Sequence, residues 1–317
     1  MPATATATQP RRPTATNPAP HPSAQPTTKR DLYADVTAQI IAALEAGSTT
    51  YTFPWHHVPG PPQNVFSHRA YRGINAVLLW LIGHAKGYAT PHWATFRQWR
   101  ELGYPVCKGE QAATVVFWKP LQGPAEPSGP SNDGTEASDH RRFVARAYHV
   151  FNAAQVAGFT VPDMPILPEA ARDAAADRFF NALPLTVHHG ETQALYRPST
   201  DSIHLPPFAR FIDPNAYYAT RGHESIHATG AKHRLHRDLT GRFGTQSYAM
   251  EELVAELGAA FLCADLGLSP TPRPDHAGYI ASWLKVLRGD VRAVFTAAGL
   301  AQTAVDWLHA QQPGSES

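Results

Sequence analysis

The chain has 317 residues, 43% of them hydrophobic and 17% charged, a globular composition long enough for roughly two domains. The net charge of +1 excludes a strongly acidic mimic of DNA and by itself points to no partner. The two cysteines, Cys107 and Cys263, form no CxxC pair, which argues against a cysteine metal cage or a disulfide framework and predicts two buried, reduced thiols.

Residues 1–30 are mostly Pro, Thr and Ala, with little to bury, and read as a disordered tail. They have no apolar segment of the secretory kind. The densest apolar run, AVLLWLIG at 76–83, is too short to span a bilayer. The expectation is a cytoplasmic protein with no membrane partner. Order begins with DLYADVTAQIIAALEAG, where Leu32, Val36, Ile40 and Leu44 recur every four residues and Gly47 ends an amphipathic helix. YTFPWHHVPGPPQN is an extended loop set by its prolines. YRGINAVLLWLIGHAKG predicts a second helix from Gly73 or Asn75, and TPHWATFRQWRELG a third, capped by Thr90 or Thr95. A turn at Lys108–Gly109 leads to the strand ATVVFW, and a second strand in RFVARAYHVFNAAQV pairs with it across a polar, flexible insert at 121–142. The first domain closes at 158.

The second domain, 159–317, opens with a Pro-rich link and a helix ending near FFNAL. TVHHG and ALYRPSTDSIHLP are short strands. Tyr217–His227 and Ser247–Leu266 are helices, and 276–311 holds two more. The fold class is α+β in two domains.

His223-Glu224-Ser225-Ile226-His227 is HExxH. On a helix, residues four apart share a face, so both imidazoles can point at one ion. Glu224 is rotated off that face, close enough to act on a water in the site as general base. Gly230 is placed to stop the helix in a left-handed cap. A third ligand is needed, and two segments offer one. His233 completes HExxHxxGxxH, although Met250 lies at a helix start rather than in an isolated turn. The alternative is SYAMEELVAELGAAFLCADLG, an apolar helix on which Glu252 and Glu256 are four apart. A buried carboxylate is costly unless a cation or donor compensates it. A metal would compensate Glu252, and Glu256 could hold a ligand histidine by its other nitrogen. Glu252 is favoured, with His233 and Glu256 open. The ion is zinc, or another divalent ion such as manganese.

Between Trp55 and Lys119, basic and aromatic residues interleave. Single-strand binding uses both, cations for phosphates and ring faces for bases. Aromatics at helical spacing equally suit a core, where Trp80 and Trp99 are placed. Arg69, Tyr71, Arg72 and Lys108 are the candidate DNA contacts, and Asn75 caps or braces its helix.

The order YRGIN, W-x-T-F-x-Q, V-x-K-G-E, T-V-V-F-W and F-N-x-A-Q-V resembles the N-terminal domain of ArdC-type antirestriction proteins, a domain shared with TraC-type plasmid primases. ALYRPSTDSIHLP, HESIHATG, HRLHRD, FGTQSYAMEELVAELGAAFL and YIASWLKVLRGD resemble the same family's zincin-like metallopeptidase domain. The likeness spans about 31–310 and leaves out the tail and the insert. It implies single-stranded-DNA binding, a zinc peptidase fold with Glu224 as base and His223 and His227 as ligands, and protection of incoming mobile DNA from host restriction. The family's commoner form keeps no histidine at the His233 position, which also favours a glutamate. Alternatives are a general cytoplasmic metallopeptidase whose first domain recruits a protein substrate, or a non-catalytic DNA-coating protein with a structural metal.

Overall fold

The four-residue recurrence of Val36, Ile40 and Leu44 becomes the buried stripe of α1 (Leu32–Gly47). The structure is a computed structural model that describes residues 31–47, 60–120, 143–160, 169–242, 245–268 and 276–314. The expected tail, residues 51–59 of the proline loop, the insert at 121–142 and most of the Pro-rich link lie outside the described residues, and the end of that loop, Gln63–Asn64, is a short strand rather than loop. Helix α2 (Ile74–Lys86) starts after Gly73 and buries Ile74 and Ala76–Leu81 nearly all round. Asn75 braces it against the neighbouring sheet: its side-chain amide donates to Val116 O (2.8 Å) and its oxygen accepts from Val116 N (2.7 Å). The side chain thus extends an edge strand's ladder and satisfies backbone groups that burial would otherwise orphan.

That strand is β4 (Ala113–Pro120), and it pairs antiparallel with β5 (Phe143–Asn152) as the sequence predicts. With β1 (Gln63–Asn64), β2 (Arg69–Ala70) and β3 (His92–Thr95) they form a mixed five-stranded sheet, ordered β2-β1-β3-β5-β4. The third predicted helix is therefore shorter than expected. HWAT is strand β3, and Thr95 then caps α3 (Phe96–Glu101) in a reciprocal capping box with Gln98. Trp99 is fully buried and donates to Phe151 O. Cys263 is buried, but Cys107 is exposed beside the Lys108–Gly109 turn, which corrects the expectation of two buried thiols.

After α4 (Glu169–Ala182), β6 (Thr186–His189), β7 (Leu195–Arg197) and β8 (Ser202–Leu205) form a second sheet, ordered β6-β8-β7. Helices α5 (Pro214–Thr229), α6 (Gln246–Asp265), α7 (His276–Gly289) and α8 (Ala293–Ala310) follow. The boundary near 158 separates the two sheets but not the core. Val36, Ile40 and Leu44 of α1 and Ile74, Val77 and Trp80 of α2 share one apolar cluster with α5–α8. The Trp80 ring packs on Phe261 of α6, and Gly73 N donates to Gln302 of α8. Leu32–Ser317 is accordingly one compact unit. Among the described residues no helix is long and apolar enough to cross a membrane.

Candidate metal centre

Helix α5 begins where Asp213 accepts from Ala216 N (2.7 Å) and Pro214 takes the first position, which needs no donor. From there His223 and His227 fall one turn apart, and their Nε2 atoms lie 3.2 Å from each other. Helix α6 packs across α5 because Gly258 lets it: a Cβ there would sit 2.8 Å from two carbons of the Ile226 side chain. This close approach brings Glu252 to the histidines. Its Oε2 is 3.4 Å from His223 Nε2 and its Oε1 is 3.6 Å from His227 Nε2. His223, His227 and Glu252 each offer a ligand atom, all within 4.8 Å of one another. Two imidazole nitrogens and a carboxylate oxygen suit zinc and other divalent ions.

Glu252 and Glu256 are both buried (6% and 4% exposed), so neither is a solvated residue at the helix edge. Glu256 Oε2 lies 4.0 Å from His223 Nδ1, on the side away from Glu252. The carboxylate that holds His227 is one that sequence reasoning missed, Glu251, whose Oε1 is 3.1 Å from His227 Nδ1. Glu251 is held in turn by Arg237, which donates to it through Nε (3.0 Å) and Nη2 (2.8 Å). Arg237 also donates to Thr229 Oγ1 and Ile226 O, so the segment after α5 clamps the helix end. Gly230 ends α5 as expected, but with φ −73° rather than in a left-handed cap. A Cβ there would crowd the His227 carbonyl (3.1 Å) and the ends of the Leu239 and Arg237 side chains (2.9 and 3.0 Å), so a larger residue would have to displace the Arg237 clamp.

Burial pulls the Glu252 carboxyl upward, but hydrogen bonding and charge from His223 and His227, with the Tyr248 hydroxyl, outweigh it and lower it to about 2. Burial pulls His227 down, and the Glu251 hydrogen bond with the charges of Glu252, Glu251 and Glu224 more than reverses this, raising it. In the metal-free state the histidine–carboxylate contacts hold the cluster together. Tyr248 has a phenol pushed upward by burial, Tyr279 and Glu252, so it remains a donor at ordinary pH. Its hydroxyl is 3.2 Å from that of Tyr279.

These groups lie in a cleft of about 870 Å³, lined by His223, Glu224, His227, Tyr248, Glu251 and Glu252 with the edge strand β7 beside them. Glu224 is 3% exposed and faces the cleft. His233 lies elsewhere: its side chain is 64% exposed, 3.3 Å from Asp201 Oδ2, which Arg234 also holds bidentately. The structure thus gathers Glu252, not His233, with the two histidines.

The candidate DNA contacts do not converge so well. Arg69 and Lys108 are exposed. Arg72 is exposed too, but it pairs with Asp306 of α8. Tyr71 is only 9% exposed and packs with Leu79, Trp93 and Val115, while its hydroxyl accepts from Asn64 Nδ2. A ring buried in a core offers no face to a base, so Tyr71 is corrected to a structural residue. A tyrosine between a strand and a helix reads the same in sequence either way.

Residues 30–151 match the N-terminal domain of the anti-restriction factor ArdC, and residues 174–300 match a zincin-like metallopeptidase family. The crystal structure of metal-free antirestriction ArdC protein from the R388 plasmid superimposes with a TM-score of 0.73 at 38% identity, over 91% of this chain and 100% of that one. The chain belongs to the ArdC family of antirestriction proteins. The Mn(II)-bound structure of the same R388 protein gives a TM-score of 0.72 at 40% identity, over 90% of this chain and 99% of that one. An uncharacterized protein, y4eC of Sinorhizobium fredii, is 53% identical over 294 residues, covering 92% of this chain and 95% of the relative. The DNA primase TraC of Escherichia coli is 35% identical over 296 residues, which cover 88% of this chain but only 27% of the primase. The ArdC family membership and the mixed helix-and-sheet fold with a zincin-like domain agree with the likeness seen in the motifs.

Proposed function

We propose that this chain is a metal-dependent antirestriction protein that binds single-stranded DNA and hydrolyses peptide bonds. It would act in the cytoplasm to protect incoming mobile DNA from host restriction. The observation that carries the metallopeptidase reading is the meeting of His223, His227 and Glu252 within 4.8 Å on the wall of a cleft that Glu224 also faces. The Mn(II)-bound R388 relative supports a divalent ion, and we assign zinc or manganese to this donor set. A bound ion would supply Lewis-acid activation of a carbonyl group and of water. The protein's own residues do the rest. Glu224 takes the proton of the attacking water and passes it to the leaving amine. Glu251 and Glu256 orient the two imidazoles, and Tyr248 steadies Glu252. The cleft of about 870 Å³ beside β7 gives a substrate access to this donor set, which supports a catalytic over a structural site.

The single-strand reading rests on the matched ArdC N-terminal domain and on the kinship with a DNA primase. The test uses the full chain. Wild type is expected to hold about one divalent ion and to cleave unfolded casein. Glu224→Gln should keep the ion and lose about 10²–10⁴ in rate, the worth of a general base. Undiminished cleavage by Glu224→Gln, or full metal content in His223→Ala/His227→Ala, would overturn the proposal.

A further inference from the structure

The β4–β5 hairpin has one face that the rest of the protein covers only in part. Its register sets Ala113 opposite Val150, Val115 opposite Tyr148, Phe117 opposite Arg146 and Lys119 opposite Val144. Opposed residues of an antiparallel pair share a face, so all eight lie on one side. At the inner end Ala113, Val115 and Val150 are buried against Leu79 and Trp93. Among the described residues the cover ends beyond Val115. Phe117 is 47% exposed and Tyr148 44%, with their rings edge to face at 5.4 Å. Lys119 and Arg146 are exposed on the same face. On the opposite face Trp118 packs against Phe295 and donates to the Tyr33 hydroxyl, which anchors the hairpin to the helices.

We infer that single-stranded DNA docks on this outer face, with bases stacking on Phe117 and Tyr148 and phosphates meeting Lys119 and Arg146. The inference rests on the single-strand reading above and gives it a surface. Two half-exposed aromatic rings side by side, flanked by two cations, form a patch with the mixed chemistry that single-strand binding uses. The sequences ATVVFWKP and FVARAYHVFN contain no Asp or Glu, so the charge on this face has one sign and matches a polyanion. Ring faces suit unstacked bases, which a duplex does not present, and this selects a single strand. The surface also replaces Tyr71, whose ring is buried, as the source of stacking.

The experiment follows full-length protein by fluorescence anisotropy with labelled oligo(dT) of about twenty nucleotides, longer than the ~4–16 that a single-strand-binding OB fold occupies. Phe117→Ala/Tyr148→Ala should bind about 25-fold more weakly or worse, at roughly fivefold per stacked base, with an unchanged salt slope. Lys119→Ala/Arg146→Ala should make the negative slope of log affinity against log salt shallower by about 1.4, from two lost phosphate contacts. Tyr148→Phe keeps the ring and should bind as wild type does. If Phe117→Ala/Tyr148→Ala loses its circular dichroism signal, Phe117→Leu/Tyr148→Leu takes its place, keeping apolar bulk without a flat ring; it too should bind weakly. Wild-type binding that survives both double substitutions would overturn this surface and leave the single-strand reading standing. A wild-type protein that fails to bind the oligonucleotide would overturn both.

Discussion

Replacing Glu251 by alanine should damage the protein twice, in fold stability and in metal affinity. The stability loss comes from Arg237, whose side chain is 5% exposed and which gives Glu251 two charge-assisted hydrogen bonds. Removing one partner of a buried ion pair costs about 3–5 kcal/mol, because the other charge stays buried and uncompensated. Arg237 keeps its bonds to Thr229 Oγ1 and Ile226 O, so the lower figure, about 3 kcal/mol, is expected. The affinity loss comes from His227, which would lose the acceptor at Nδ1 that fixes its ring and tautomer. Loss of such a support lowers metal affinity about 10–100-fold. Urea unfolding of the metal-free protein measures the first effect, and zinc titration against a competing chelator the second. Arg237→Met/Glu251→Leu separates them: it should recover much of the stability, since no lone charge remains, and none of the affinity. A Glu251→Ala protein with unchanged unfolding midpoint and unchanged zinc affinity would refute the role given to this carboxylate.

Gly258→Ala should cost about 1–3 kcal/mol by forcing a methyl group into Ile226, and should weaken metal binding by moving α6 off α5; unfolding and metal titration of this one variant check both. Glu252→Gln should lose metal affinity while His233→Ala keeps it, since only the former lies with the histidines; chelator competition compares the two. In the metal-free protein the depressed Glu252 contributes stability above its ordinary value of 4.5, lost as pH falls toward about 2. The raised His227 contributes below its ordinary 6.5, lost as pH rises through its elevated value. Urea midpoints of metal-free protein should therefore be highest between these limits. Metal affinity should climb as His227 deprotonates above 6.5, because the ion competes with that proton. A fragment of residues 31–158 should fail to fold, since Leu44, Val77 and Trp80 would lose α6–α8; circular dichroism of the fragment reads this directly.

Much of the site was legible because its signals are local. The shared face of His223 and His227 is fixed by helical spacing alone, and Glu252 stood out because a carboxylate on so apolar a helix needs a cation or a donor beside it. Glu251 was not legible. It adjoins Glu252 on α6, and its role depends on Arg237, which reaches it only once the segment after α5 has folded back. Helix α6 falls within a residue of its expected bounds, whereas α5 extends three residues earlier and two later than its apolar pattern, because Asp213 and Pro214 start it and Gly230 ends it. Strand β3 was missed because four residues, HWAT, run straight into the Thr95 cap and share its helical context. The shared core was hidden for a different reason. Contacts such as Trp80 with Phe261 join residues far apart in the chain, and the periodicity of α2 says that it is buried without saying against what.

The metal assignment is tested most directly by an anomalous-difference map from crystals of the full chain grown with zinc or manganese. One strong peak is expected between His223 Nε2, His227 Nε2 and the Glu252 carboxylate, with Glu224 facing the same cleft and unligated. A peak at His233 and Asp201 instead, or no peak between the α5 histidines, would contradict it.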